Sequence, residues 1–541
     1  MNELIVYQGD DALELSPSPG KTYAYCIGAG VLRGRRFIKV NDEFRLNRLA
    51  EEIRDKYSAW VFSLNSHFTS SSLVIEDLSV FFLSDLSCKR SERFETFDQI
   101  CNLLLMKEQL AAANLYQARL IGVNRAFVLA FKSIFPSVQI SLERNPKQSA
   151  RITRRLSADV SFLFKSIGMV LANRFVISRS PVTVSPERMF FSFFPQMFDG
   201  TGRDTKYASL ASHCGEFAVT IMSDGMHQKV SLQEYVRFLK QAEELGMQIV
   251  DRNIKLSDVW SATWWSAKLW LWYFRKRDLS FAFEQIDVSG FVREELRFSI
   301  SRIARLSLLM EPVKRFFTEK RPKALYYYPF EYPFGRMLSW ACAKASPDTE
   351  RIGFQMSIVS KRRLEQFMAP GEAATRAPFI SHAPIPDKIF AESTASAAVY
   401  VSAGYQRVEL MKRVYRYDYL DLIDPERKED LCLIAPGLHD GSVMLEALSE
   451  EIRKQQGKNW IIKPHPRANN DYVGLWKDIG NVRISDKAIE ELLAEVSEVY
   501  VTYSSVGLEA QRLGLKVVVI SVPGRINTSP LLDKTDEISP G

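Results

Sequence analysis

The stretch Glu498-Val-Tyr-Val-Thr-Tyr-Ser-Ser-Val-Gly-Leu-Glu-Ala-Gln-Arg-Leu-Gly-Leu-Lys-Val-Val-Val-Ile-Ser521 reads as strand, tight turn, helix and strand. Two short apolar runs flank one helical turn pattern, which is how consecutive parallel strands and their crossover look in a sequence. The same rhythm extends back along the chain. Strands are expected at Leu431–Ala435, Trp460–Lys463 and Asn481–Ile484, with helices at Ser442–Gln456 and Ala488–Ala494. Further upstream a strand is expected at Ala397–Ser402 and a helix at Arg407–Val414. The sum is a doubly wound α/β sheet.

The first part of the chain follows the same alternation, with expected strands at Tyr23–Ile27, Trp60–Leu64, Ala118–Val123, Met189–Phe194, Ala324–Tyr328 and Arg351–Gln355. Between them lie helical patterns such as Glu43–Lys56, Phe94–Ala113, Ser231–Leu245 and Val292–Leu308. Phe367–Pro386, rich in Pro, Ala and Gly, reads as a linker. The expected division is therefore 1–380 and 381–541, the first unit carrying a helical, aromatic-rich insertion.

A chain of 541 residues that is 46% hydrophobic and 25% charged can pack large cores, so disorder is excluded. The net charge of +7 is too small to imply nucleic acid, and no basic cluster interleaves with aromatics as RNA binding would need. Six scattered cysteines form no CxxC pair, and the acidic start (Glu3, Asp10, Asp11, Glu14) is unlike a signal peptide. A cytoplasmic protein is expected. The six histidines show no HExxH pattern, and no DxD closes a strand, so no metal is called for. GxGxxG, Walker and GxSxG patterns are missing too.

Two segments carry chemistry. In Trp460-Ile-Ile-Lys-Pro-His-Pro-Arg467 an apolar strand runs into Lys463, His465 and Arg467, with Pro464 and Pro466 stiffening the turn. An imidazole so placed can donate to a phosphate oxygen. In the opening stretch, Ser504 and Ser505 precede a helix whose first N–H groups are unpaired and suit phosphate, while Gly507 permits close approach. Each has a structural reading as well, a turn in one case and a helix cap in the other. The two strand tips are expected to adjoin and form one anion pocket.

Lys463-Pro-His-Pro466 together with Ser504–Gly514 resembles the donor-binding half of GT-B glycosyltransferases of bacterial surface polysaccharides, in particular capsule and O-antigen Kdo (nonulosonic acid) transferases and His-Pro sialyltransferases. The resemblance implies two Rossmann-like domains with a CMP-linked sugar donor in the cleft, no resident cofactor, and a glycan or lipid-linked oligosaccharide acceptor. It places phosphate contacts at His465, Ser504 and Ser505, with Lys463 and Pro466 along the nucleotide. The ribose ligand falls at Asp486, with Glu509 second, and Gly437 is the backbone contact in Ala435-Pro-Gly-Leu-His-Asp-Gly-Ser442. Upstream, Tyr326–Trp340 puts Glu331 at a strand end, where a carboxylate can serve as base or nucleophile. Asp199, in the loop after Phe190–Phe194, is the rival carboxylate. A CDP-polyol phosphotransferase of the teichoic-acid type, a nucleotide-sugar epimerase and a non-catalytic scaffold remain alternatives.

Trp260–Arg277 holds five of the nine tryptophans and ends in three cations. An internal helix between lobes and an interfacial helix at the inner face of the membrane both fit it.

Overall fold

The computed structural model describes residues 2–9, 13–15, 20–28, 32–33, 36–91, 93–143, 152–176, 186–212, 216–221, 230–328, 330–424, 426–438, 440–466, 468 and 471–533. Within these, the three larger sheets, of five, seven and five strands, are parallel throughout. The first contains β1 (Asn2–Gln8), β2 (Thr22–Ile27), β3 (Ile38–Lys39), β4 (Leu115–Ile121) and β5 (Gln139–Glu143) in the order 3-2-1-4-5. The second runs 8-7-6-9-10-11-12 through β6 (Arg188–Phe193), β7 (Glu216–Thr220), β8 (Gln248–Ile249), β9 (Ala324–Tyr327), β10 (Glu350–Phe354), β11 (Lys388–Ala391) and β12 (Val408–Leu410). The third runs 15-14-13-16-17 through β13 (Lys428–Ile434), β14 (Asn459–Ile462), β15 (Val482–Ile484), β16 (Val496–Val501) and β17 (Lys516–Val519). Every sheet is Rossmann-like, with its order reversing beside its first strand.

Burial explains the strand composition. Leu4, Ile5 and Val6 of β1 and Leu433 and Ile434 of β13 are fully buried, as expected when helices cover both faces of a parallel sheet. Among those helices are α1 (Glu43–Ser63), α2 (Thr96–Gln109), α3 (Ile152–Val176), α4 (Leu232–Glu244), α5 (Leu256–Arg275), α6 (Ser289–Lys320), α7 (Pro333–Ala345), α8 (Thr394–Ser402), α9 (Gly441–Lys454) and α10 (Val506–Arg512).

Several expectations need correction. Trp60–Leu64 is not a strand, because α1 runs on to Ser63 and the buried positions 46, 49, 50, 53, 57 and 61 keep helical spacing throughout. Ala397–Ser402 belongs to α8, started by Ser393, whose hydroxyl accepts from the Ser396 amide at 3.1 Å. Arg407–Val414 contains β12 rather than a helix, its Val408–Leu410 pairing with β11. The residues up to 380 contribute strands to two sheets, and β11 and β12 continue the second of these to Leu410.

The segment after β17 ties the third sheet to the first. Gly28 N donates to Pro523 O at 2.8 Å, and Asn102 Nδ2 donates to Gly524 O at 2.9 Å. Gly524 has φ +66, and a Cβ there would lie 2.8 Å from the Cys26 carbonyl oxygen, so only glycine fits this crossing. Asn527 N reaches Asn47 Oδ1 at 2.9 Å, and Arg362 Nε donates to Asn527 O at 2.7 Å. These bonds hold the strand ends of the first and third sheets facing each other.

Candidate active site

Between those facing strand ends lies a cleft of about 510 Å³, within the range usual for small-molecule sites. The third sheet supplies Asp440 and Val443 from the turn and helix after β13, Tyr503 from the end of β16, and Ile520 and Val522 from the end of β17. Opposite stand Ser91, Arg93, Glu95 and Asp98, at and before the start of α2. The crossing segment closes a third side with Arg525 and Asn527. Ligands of open α/β sheets bind beyond the carboxyl ends of strands, and the cleft is at that edge of the third sheet.

The electrostatics are organised around one ion pair. Arg525 Nη1 lies 2.7 Å from Glu95 Oε1, and Glu95 Oε2 also accepts from Gln8 Nε2 at 3.0 Å and Gln99 Nε2 at 3.1 Å. Burial works to raise Glu95, but Arg525 and these donors hold it below the usual carboxylate range. One helical turn on, burial pushes the Asp98 carboxyl up to about 7, with Arg525 opposing the rise and the Glu95 charge adding to it. Two carboxylates on one wall are thus set apart, one ionised and one able to exchange a proton near neutrality.

The turns of the third sheet are fixed from within. Thr502 Oγ1 donates to Asp440 Oδ2. A Cβ at Gly437 would meet the Tyr503 ring at 2.6 Å and one at Gly441 would meet the Tyr472 hydroxyl at 2.1 Å, so glycine at both positions lets the aromatic rings lie on the backbone. Gly437 therefore packs against Tyr503 on its Cα side, which explains that glycine without a ligand.

Residues expected from the sequence are distributed as follows. Lys463 Nζ donates to Asp486 O at 3.0 Å, which brings the β14 and β15 ends together and leaves Asp486 exposed. His465 and Pro466 follow in the same turn, closed by Ala468 N donating to His465 O at 3.0 Å. His465 is half-buried. Ser504 Oγ accepts from Val506 N at 3.4 Å, and Ser505 Oγ donates to Glu509 Oε1 at 3.3 Å. Glu509, 6% exposed, also accepts from Tyr419 OH at 2.6 Å, so it anchors the segment before β13 instead of facing a ribose. Nor do the His465 and Ser504 tips adjoin, since β13 runs between β14 and β16. At a spacing of about 4.8 Å per strand they stand roughly 10 Å apart. A single small anion cannot bridge them, whereas a nucleotide can.

None of the expected residues is among those lining the cleft: Lys463, His465, Pro466, Ser504 and Ser505 stand at strand ends on the same edge of the third sheet, and the carboxylates Asp199 and Glu331 lie elsewhere. Asp199 is exposed and accepts from Thr201 N at 2.9 Å, Thr201 Oγ1 at 2.7 Å and Arg203 N at 3.0 Å, so it closes its own turn. Those bonds, the Thr201 hydroxyl first, draw its carboxyl below the usual range. Glu331 does lie past the end of β9, but it is only 8% exposed and accepts from Tyr400 OH at 3.2 Å. Burial pushes it up to about 7, with Arg363 opposing and Glu365 adding.

That shift has a consequence for stability. The fold favours the neutral carboxyl, so between the usual 4.5 and about 7 the native state holds a proton that the unfolded chain has lost. Stability from this group is complete below that window and is lost as pH rises through it, by on the order of 3 kcal/mol. Glu331→Gln is expected to flatten this decline in chemical denaturation measured from pH 5 to 8, whereas an unchanged slope would show that Glu331 does not titrate there.

Arg93, Glu95, Asp98 and Arg525 lie in no sequence motif that would mark them, whereas Tyr503 directly precedes the Ser504–Ser505 pair and Asp440 lies three residues after Gly437. Among the described residues, no three His, Cys, Asp or Glu side chains gather as a metal site.

No protein-family model matches the chain, and no curated protein is significantly similar to it. Similar solved structures include Anabaena HepE in complex with UDP and glucose, at 11% identity and TM-score 0.34, spanning 65% of this chain and 90% of that one. UDP-GlcNAc 2-epimerase from Neisseria meningitidis, bound to UDP-GlcNAc, shares 10% identity at TM-score 0.32 over 61% and 82%. The wall teichoic acid polymerase TagF shares 10% identity at TM-score 0.28 over 69% and 79%. At these identities and scores, function must be argued from the cleft itself.

Proposed function

We propose that this chain is a glycosyltransferase that takes a nonulosonic-acid-type sugar, Kdo or a relative, from a CMP-activated donor and places it on a bacterial surface glycan, working at the inner face of the cytoplasmic membrane. The observation that carries the reading is the cleft at the carboxyl ends of β13, β16 and β17, faced tip to tip by a second Rossmann-like sheet. Its chemistry suits a nucleotide. Val443, Ile520 and Val522 offer apolar surface, and Arg525 and Arg93 offer cations for phosphate. The Lys463-Pro-His465 turn and the Ser504–Ser505 pair flank the same edge of the sheet and extend the phosphate contacts.

In the reaction the acceptor hydroxyl attacks the anomeric carbon as the bond from that carbon to the CMP phosphate oxygen breaks. Asp98 takes the hydroxyl proton, and CMP leaves with the bonding electrons, its charge met by Arg525 and His465. His465→Ala is expected to lower turnover about 100-fold while the protein still folds, as circular dichroism should show. Turnover equal to wild type, with CMP-sugar as donor and the product weighed by mass spectrometry, would remove His465 from the mechanism. Offering a CDP-polyol in a parallel reaction and weighing the product separates transfer of a sugar from transfer of a polyol phosphate.

A further inference from the structure

Two helices remote from the cleft expose a face that the fold leaves uncovered. On α3, Val160, Phe164, Ile167 and Leu171 follow i, i+4, i+7, i+11 spacing and point outward, Phe164 being 72% exposed. On α5, Trp260, Trp264 and Leu271 follow the same spacing, with Trp260 76% and Trp264 65% exposed. The opposite faces are buried, through Ser166, Met169 and Val170 on α3 and Ala262, Ser266 and Leu269 on α5.

The two stripes lie side by side. Trp270 Nε1 donates to Asp159 Oδ2 at 3.3 Å, joining the end of α5 to the early part of α3. Asn173 Nδ2 donates to Asp251 O at 2.7 Å, joining the end of α3 to the residues just before α5. The helices are therefore antiparallel. This register sets Val160 beside Leu271, and Leu171 beside Trp260, with Phe164, Ile167 and Trp264 between them. One apolar patch spans both helices, far larger than a scatter of single exposed side chains.

Charge selects the occupant. From Asp159 to Arg174 and from Leu256 to Arg275 the only acids are Asp159 and Asp258. Both are buried: Asp159 accepts from Trp270 and Ser301, and Asp258 pairs with Arg315. The exposed charges on and just after these segments are cations, Arg174, Arg275, Lys276 and Arg277, until Asp278. A two-fold dimer through this face would bury these cation-rich segments against a second copy of themselves. An anionic lipid surface accepts both parts, the rings at the acyl boundary and the cations among the headgroups. Among the described residues no helix is long and apolar enough to cross a membrane.

We infer that the paired outer faces of α3 and α5 form a docking surface for anionic lipid bilayers, with Phe164, Trp260 and Trp264 entering the interface and Arg275, Lys276 and Arg277 contacting headgroups. This deepens the reading of an enzyme working at the membrane by assigning the surface and the lipid chemistry. Its readout is independent of sugar transfer.

The experiment is vesicle cosedimentation of the full chain with phosphatidylglycerol–phosphatidylcholine mixtures, with pure phosphatidylcholine alongside. Wild type is expected to sediment with the anionic vesicles and not with the neutral ones. Trp260→Ser/Trp264→Ser is expected to lower the partition coefficient about 10-fold or more, and Arg275→Glu/Lys276→Glu/Arg277→Glu to abolish the preference for phosphatidylglycerol. All five positions are exposed, so the variants should keep the wild-type circular dichroism and nucleotide-induced thermal shift, which separates lost docking from lost folding or donor binding. Wild type that stays in the supernatant, or a Trp variant that sediments as wild type does, would overturn the inference. So would a wild-type dimer, seen by sedimentation velocity, that the Trp substitutions convert to monomer, because the face would then bind a second copy.

Discussion

Arg525→Ala is expected to weaken binding of CMP about 30- to 100-fold in isothermal titration, the cost of losing one charge-assisted contact to phosphate. The loss has two parts. The guanidinium no longer meets the phosphate, and Glu95, left with only the neutral donors Gln8 and Gln99, presents an unneutralised charge to the incoming anion. Arg525→Lys keeps the charge and gives up the planar fork, so it should fall between the two. Arg525 is partly exposed, and the crossing segment is anchored through Gly524 and Asn527, so the melting temperature without ligand should change little. An Arg525→Ala variant that binds CMP as tightly as wild type would show that phosphate is held elsewhere.

The second large effect is expected at Asp98. Its carboxyl is pushed up to about 7, so the ionised form that can accept a proton builds up as pH rises through neutrality. The kcat/KM of wild type should therefore increase across that range and level off above it. Asp98→Asn keeps the shape and removes the base, and turnover should drop by a factor of about 100 to 10,000. The residual activity should lose the limb near pH 7. If the variant keeps that limb, another group carries the proton. If it keeps full turnover, the acceptor hydroxyl needs no base from this wall.

The third sheet could be read almost strand by strand, because its short apolar runs, buried in β13, β14 and β16 and half-buried in the edge strands β15 and β17, alternate with helices. What periodicity could not provide was the order of those strands. His465 and Ser504 lie about forty residues apart and both end strands, yet β13 separates them, and only its pairing to β14 on one side and β16 on the other reveals this. Local signals misled where an alanine-rich run followed a serine cap, as in α8, and where α1 continued past an apolar Trp60–Leu64. Asp98 was hidden for a different reason. It occupies one turn of a largely buried helix in the first sheet's unit, with no flanking motif, and acquires its character from Glu95, Arg525 and the closing walls, residues over four hundred positions apart. Glu331 showed the reverse, a carboxylate at the right end of a strand whose surroundings turn it inward to Tyr400.

The most direct test of the central claim is a crystal structure with CMP bound. It should show the nucleotide at the ends of β13, β16 and β17, its phosphate within hydrogen-bond reach of Arg525 and its base or ribose along Tyr503 and Ile520. Density for CMP at the strand ends of the second sheet, near Glu331, with the cleft between the first and third sheets empty, would contradict it.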